Sequence, residues 1–196
     1  MKNIFYPLLI IYIIEFIILA ISPTDRTNWF VENITIVIIV IGIFFANKKF
    51  KFSNIACIMM FILVFLHTIW WHYSFANVPF DFITNLFWFE RNHFDRIAHF
   101  SVWFYAYPFA EILNKVYNIK YKFILFFFPL FFIMSVAWLY EIIEWIYAVL
   151  ANPEAGTAFL GSQWDIWDAQ KDMLSDTLGA LFALGVYFWV NRGGKK

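Results

Sequence analysis

From Phe123 to Leu150 the chain carries two charged residues, Glu141 and Glu144, and is otherwise almost wholly apolar. That run exceeds the ~20 apolar residues a helix needs to cross a bilayer, and the pattern recurs. Further apolar segments lie at about 4–21, 29–46, 55–73, 97–116 and 176–191. The 196 residues are 63% hydrophobic and 14% charged, and a soluble core of this size could not hide so much apolar surface. The chain therefore reads as a single integral membrane domain, 1–196. The expected fold is an all-α bundle of six transmembrane helices, with an amphipathic acidic helix leading into the last. A signal peptide is the rival reading of the first segment, given Ala20 and Ser22, but its length and Glu15 favour a retained helix. Zero net charge without a long basic run excludes nucleic acid as a partner. The single cysteine, Cys57, excludes an internal disulfide and a cysteine zinc cluster.

The loops set the expected orientation. Lys2, Lys48, Lys49, Lys51, Lys115, Lys120, Lys122, Arg192, Lys195 and Lys196 fall on one side of a six-span chain, and Arg26, Arg91, Arg96 and Lys171 on the other. Lysine and arginine favour the cytoplasmic side, so both termini are expected in the cytoplasm. The connection 74–96 keeps Phe82, Leu86, Phe87, Trp88 and Phe89 among Pro79, Asp81, Glu90 and Arg91, a composition suited to the membrane interface. Pro108 is expected to kink the fourth span.

Against this apolar background one stretch stands out. Asp165, Asp168, Asp172 and Asp176 follow one another at spacings of three, four and four. At about 100° per residue they fall in one narrow stripe of a helix. Ser162 and Asp165 have the spacing of a capping box, which predicts a helix start at Gln163. Ile166, Trp167 and Leu174 take the opposite face. The plain reading of the stripe is a wetted helix face at the membrane surface.

The positions of the other polar residues argue for more. On the six-span topology His67, His72, His93, Asp95, His99, Glu141 and Glu144 all lie at the outer level, beside the aspartate stripe. Asp95 and His99 share a helix face, as do Glu141 and Glu144. His99 and Glu141 sit inside apolar runs, where ionisable groups are costly and usually face a bundle interior or watery cavity. His99, Glu141 and Asp172 are expected to line one pocket on three spans. Plainer readings exist for several residues. His67 and His72 belong beside Trp70, Trp71 and Tyr73 in an aromatic belt, and His93 is a loop residue. Asp95 can cap the fourth span, while Glu15 and Glu111 are isolated.

Two chemistries fit. In one, His99, Glu141, Glu144, Asp168 and Asp172 hold a divalent metal ion, zinc or manganese, that activates water. In the other, Asp95 and His99 act as a general base, with Glu141 and Glu144 as acid or orienting groups. His72, Arg91, Arg96 and Asp165 are the candidate substrate-binding residues, the arginines either neutralising the acidic cluster or gripping a lipid phosphate. Ser101, Ser135 and Ser175 lack a nucleophile-elbow sequence, and there is no His-Glu-x-x-His.

Several stretches resemble the YjdF-type bacterial inner-membrane proteins: His72-Tyr73, 78–80, 91–100, 140–145 and 159–173, with the run 163–172 the most specific. The resemblance implies a bacterial cytoplasmic membrane location and no established activity. A looser similarity reaches the VanZ-like membrane proteins, associated with cell-envelope and glycopeptide-antibiotic phenotypes. It rests on Asp95, Arg96, His99 and Phe100, on Glu141, and on Asp172, Gly179 and Ala180. Glu144 and Asp176 stand where that pattern has Gln and Asn, making this chain more acidic. The functional expectation is an outward-facing pocket for chemistry on an envelope lipid or lipid-linked substrate, by metal-assisted hydrolysis or transfer. The alternatives are a non-enzymatic binder of lipids, ions or small molecules, and a proton-coupled transporter, which visible inverted repeats would have favoured. Membrane lipids are the expected partners, and protein partners are left open.

Overall fold

The computed structural model describes residues 4–73, 77–150 and 165–193, which form helices and no strand. Helices α1 (Phe5–Leu19), α2 (Arg26–Phe50) and α3 (Asn54–Tyr73) come first, followed by the short α4 (Asp81–Leu86). Next come α5 (Phe94–Val102), a 3₁₀ turn (Trp103–Tyr105) and α6 (Ala106–Lys115). The chain continues in α7 (Lys122–Leu150) and α8 (Asp168–Val190), ending in a second 3₁₀ turn, Asn191–Gly193. Four stretches are long and apolar enough to cross a membrane: Glu32–Phe50 within α2, and the whole of α3, α7 and α8. Helix α1 is apolar but shorter.

Two helices organise the packing. α3 contacts α1, α2, α5 and α6, while α8 contacts α5, α6, α7 and the 3₁₀ turn. In α2 the buried stripe Asn33, Ile36, Val40, Ile43 and Asn47 repeats every three or four residues, the period of one helix face. The face of α8 toward its neighbours carries Gly179, Ala180 and Ala183, small residues that let backbones approach closely. Ile10, Ile14, Ile17, Phe131 and Trp138 point away from the bundle, as lipid-facing residues do.

Local chemistry explains where the helices stop. α2 runs past the expected 29–46 because Asn47 closes its C-terminus: the Phe52 N–H donates to Asn47 Oδ1 at 3.2 Å, and the Lys51 N–H to the Asn47 carbonyl at 2.9 Å. Lys51 takes φ 49°, the left-handed conformation of a helix C-cap. Lys48 and Lys49 in the last turn complement the helix dipole. The Ser53 hydroxyl then accepts from the Ala56 N–H at 3.2 Å and starts α3.

Pro108 was expected to kink one span. The structure interrupts that span with the turn Trp103–Tyr105 and resumes as α6. Proline at position 108 cannot bond the carbonyl four residues back, that of Phe104, and its ring clashes there. A tighter 3₁₀ turn at that point relieves the conflict.

Two expectations are corrected. Glu111 is not isolated: it is buried and accepts from the Ser53 N–H (2.8 Å), the Ser53 hydroxyl (2.5 Å) and Lys115 Nζ (2.7 Å). It ties α6 to the start of α3, a pairing across fifty-eight residues that spacing along one helix could not reveal. Within the described residues the acidic helix begins at Asp168, not Gln163; Ser162, Gln163 and the proposed capping box lie outside them. Asp165 therefore precedes the helix. Its carboxylate accepts from the Trp167 N–H at 3.1 Å and its carbonyl from the Asp168 N–H at 3.2 Å, a local turn that competes with helix.

In the 74–96 connection, α4 and the residues after it leave Phe82, Leu86, Phe87 and Trp88 exposed, an aromatic surface suited to the interface. Asn92 ends the connection. Its amide donates to the Val78 carbonyl at 2.9 Å, and its oxygen accepts from the Phe94 N–H at 2.9 Å, aiming α5.

Candidate functional site

α5 and α8 meet along their polar faces, and α7 flanks them. The stripe spacing read from sequence places Asp168, Asp172 and Asp176 on the α8 face toward α5, while Trp167 and Leu174 stay exposed. From α5 come Asp95 and His99, one turn apart. From α7 come Glu141 and Glu144.

At the Asp165 end of this seam two arginines bind the carboxylates together. Arg91 donates to Asp168 at 2.7 Å and to Asp95 at 3.3 Å, and lies 3.5 Å from Asp165. Arg96 donates to Asp95 at 3.1 Å and to Asp168 and Asp172, and lies 3.6 Å from Asp165. A guanidinium presents several donors in a rigid fork, so each arginine can bridge carboxylates on two elements. Both side chains are only 10–13% exposed, and a shielded ion pair of this kind is worth more than a surface one. Of the two roles expected for Arg91 and Arg96, neutralising the cluster is the one their contacts show. Asp165 also bonds Lys171 Nζ at 2.7 Å. Lys171 and the Trp167 N–H hold its carboxyl below the usual carboxylate range.

Deeper in the seam lies His99. Its Nδ1 is 3.1 Å from Asp176 Oδ1, and its Nε2 is 3.6 Å from Asp95 Oδ1 and 3.7 Å from Asp172 Oδ1. Trp70 covers the ring, with centroids 6.4 Å apart. Two groups of potential ligand atoms therefore share His99. In one, Asp95, His99 and Asp172 lie within 4.8 Å of one another; in the other, His99, Glu141 and Asp176 do. The first is already engaged by Arg96. Among the described residues the second has no arginine contact, and Glu141 Oε1 is buried with no hydrogen-bond partner among them. A buried acceptor left unpaired is uncommon and calls for an explanation.

The structure thus brings Asp95, His99, Asp172 and Glu141 together. Glu144 and Asp168 fall outside both ligand groups: Glu144 is within electrostatic reach of His99 and Asp172, and Asp168 is held by the arginines. His72 is not brought to the cluster. Its Nδ1 donates to the Leu19 carbonyl at 2.8 Å, and its own carbonyl accepts from the Thr24 N–H, tying α3 to the α1–α2 loop. His67 packs on Trp71. His93 sits at the start of α5 against Phe89; burial, with Arg91, Arg96 and Lys171 nearby, holds its imidazole below its ordinary pKa.

Asp176 is the residue the sequence reading undervalued. The spacing places it in the aspartate stripe without singling it out from the others, although it is the carboxylate nearest His99. Its position four residues beyond Asp172 was the available signal.

Comparison with known proteins agrees with this architecture. The family described as "Predicted membrane protein (DUF2238)" matches residues 4–193. The chain is 31% identical over 169 residues to "Inner membrane protein YjdF" of Escherichia coli (strain K12), covering 83% of this chain and 78% of that protein. No solved structure matches. A family match over nearly the whole chain, joined to apolar helices of spanning length, leads to one conclusion: the chain belongs to the DUF2238 family of multi-pass membrane proteins.

Proposed function

We propose that this protein is a bacterial inner-membrane protein whose outward-facing cluster binds one divalent metal ion at His99, Glu141 and Asp176 and uses it in hydrolysis or transfer on an envelope lipid or lipid-linked substrate. The location follows the printed name of the Escherichia coli relative. The observation that carries the metal reading is the orphaned Oε1 of Glu141 beside His99 and Asp176, in a group whose ligand atoms lie within 4.8 Å.

Electrostatics points the same way. Asp95, Asp165, Asp168 and Asp172 are held by Arg91, Arg96 and Lys171, while Asp176, Glu141 and Glu144 lie beyond the arginine contacts, so carboxylates outnumber the cationic side chains. In a weakly polar setting such an excess needs further cations or protons. One imidazole with carboxylate oxygens suits zinc or manganese. A metal on Nδ1 of His99 would leave Nε2–H facing Asp95 and Asp172, the carboxylate support that fixes a ligand imidazole's tautomer. A bound ion with an open position polarises a substrate oxygen or activates water.

A second reading makes His99 a metal-free base, paired with Asp176 at 3.1 Å in place of the expected Asp95, which lies 3.6 Å away. Metal analysis of the purified protein separates the two. Retained zinc or manganese that is lost in His99→Ala supports the first. A wild type that cannot be loaded, with any activity indifferent to chelator, supports the second. Metal retained without turnover on any envelope lipid would make this a binding protein.

With α5, the 3₁₀ turn and α6 taken as one interrupted crossing, the chain would span the membrane six times with both termini cytoplasmic. Residues that carry the looser VanZ-like pattern, Asp95, His99, Glu141 and Asp172, all lie at this cluster. Single cysteines introduced at positions 163 and 50 test the orientation. An impermeant thiol reagent added outside is expected to label 163 and spare 50, and the opposite pattern would overturn it.

A further inference from the structure

Below the acidic cluster the bundle is open on one side. α2 packs chiefly on α3, leaving an apolar cleft of about 360 Å³ toward α7. Ile39, Gly42 and Ala46 of α2 form one wall, Phe132 and Val136 of α7 the other, and Trp103 the upper floor. No charged side chain lines it, and the hydroxyl of Tyr105 in its floor is turned to the Met60 carbonyl at 3.2 Å. Gly42 has nothing within 4 Å of where a Cβ would lie, so the space over it is free.

The cleft is apolar below and polar above. Glu32 lies seven residues before Ile39, on the same edge of α2. Tyr140 lies one turn beyond Val136 on α7, within electrostatic reach of Glu32, Glu141 and Glu144. Trp103, in the floor of the cleft, has its side chain within reach of Asp176, so the upper end of the cleft leads toward the cluster.

Size and surroundings select the occupant. From Ile39 to Ala46 the wall is about 10 Å long at 1.5 Å per residue. Both walls belong to helices long and apolar enough to cross a membrane, so the cleft lies at the depth of the acyl chains. Water has no polar partner there. The bilayer itself supplies narrow apolar chains at this depth.

We propose that the cleft between α2 and α7 holds one long hydrocarbon chain of a membrane lipid, entering sideways from the bilayer, with its head group at the His99–Glu141–Asp176 cluster. The assignment rests on reading that cluster as a site of lipid chemistry, and it names how the substrate is held: by one chain, in the plane of the membrane. Gly42 is then a specificity position, because any side chain there narrows the space.

The test uses the full-length protein in nanodiscs of phosphatidylethanolamine and phosphatidylglycerol, with a trace of phosphatidylglycerol carrying a diazirine in its acyl chain. After illumination, labelled peptides are mapped and metal content is read on the same samples. The expected label concentrates on 39–46 and 132–136, above the level on the exposed face of α1 at Ile10, Ile14 and Ile17. Gly42→Trp should lower cleft labelling about tenfold with metal content unchanged, and Val136→Trp should do the same from the opposite wall. Equal labelling of cleft and α1, or cleft labelling indifferent to both substitutions, overturns the proposal. Cleft labelling intact in a protein that cannot be loaded with metal would overturn the metal reading alone. The converse, a loaded protein with an unlabelled cleft, would overturn the chain-binding assignment alone.

Discussion

Replacing Gly179 by alanine is expected to disassemble the site without touching any of its polar atoms. A Cβ at that position would lie 1.9 Å from the Phe100 carbonyl oxygen and 2.9 Å from its carbon. The obstacle is backbone, which cannot rotate away, so α5 and α8 must separate. Phe100 follows His99 directly, and Gly179 lies one turn beyond Asp176, so the separation falls on the 3.1 Å contact between them. Overpacking of this kind costs about 1–3 kcal/mol, occasionally more. Misplacing the groups that support a metal ligand weakens binding by roughly 10–100-fold. The prediction is a lower melting temperature in detergent together with a metal affinity reduced by that order. A variant with wild-type melting and wild-type affinity would show that the close approach of α5 to α8 does not set the site's geometry. Gly185, with nothing within 4 Å of its Cβ position, is the control, and Gly185→Ala should change neither.

Arg96→Ala is expected to have the largest effect on stability of any single charge removal. Arg96 donates to Asp95, Asp168 and Asp172, so its loss strands three shielded carboxylates. Removing one partner of a buried pair costs about 3–5 kcal/mol because the remaining charge stays desolvated and uncompensated. Arg91 contacts Asp95 and Asp168 and offsets part of that cost, but it does not reach Asp172 in the contacts described. Arg96→Lys should recover little, since a single ammonium cannot reproduce the fork that bridges two helices. Asp168→Asn in the Arg96→Ala background should recover some stability by removing one stranded charge. Thermal unfolding of the three variants checks the order. If Arg96→Ala melts with the wild type, the arginines are ornaments on a solvated face.

Much of the architecture was legible because membrane spans depend on the length and polarity of one run at a time. Glu141 and Glu144 inside 123–150, and His99 inside 97–116, were visible as polar residues with no cheap place to go. Their depth followed from counting spans. Relative rotation of helices was not legible, since it depends on contacts between distant segments. That is why His72 was grouped with the site although its ring turns to Leu19. It is also why Glu111 was left without a partner although Ser53 caps it from another helix. Asp176 was passed over because spacing put four aspartates on one stripe without ranking them; only the placement of His99 against α8 does that. Glu32 was not singled out at all, because its relevance arises from Tyr140 on α7, across the cleft from α2. The break at Trp103–Tyr105 was half legible: Pro108 announced a disturbance, but proline chemistry places it at the residues before the ring.

The central claim is that His99, Glu141 and Asp176, on three helices, form one divalent-ion site, and metal stoichiometry measures it directly. Wild-type protein and the variants His99→Ala, Glu141→Gln and Asp176→Asn are purified, offered zinc and manganese in turn, dialysed and analysed for bound metal. The account predicts one ion per wild-type chain, lost or weakened at least tenfold in each variant, and a wild-type occupancy that falls on acidification because the ligands must be deprotonated. A wild type that takes up no ion, or variants that bind as the wild type does, would contradict it.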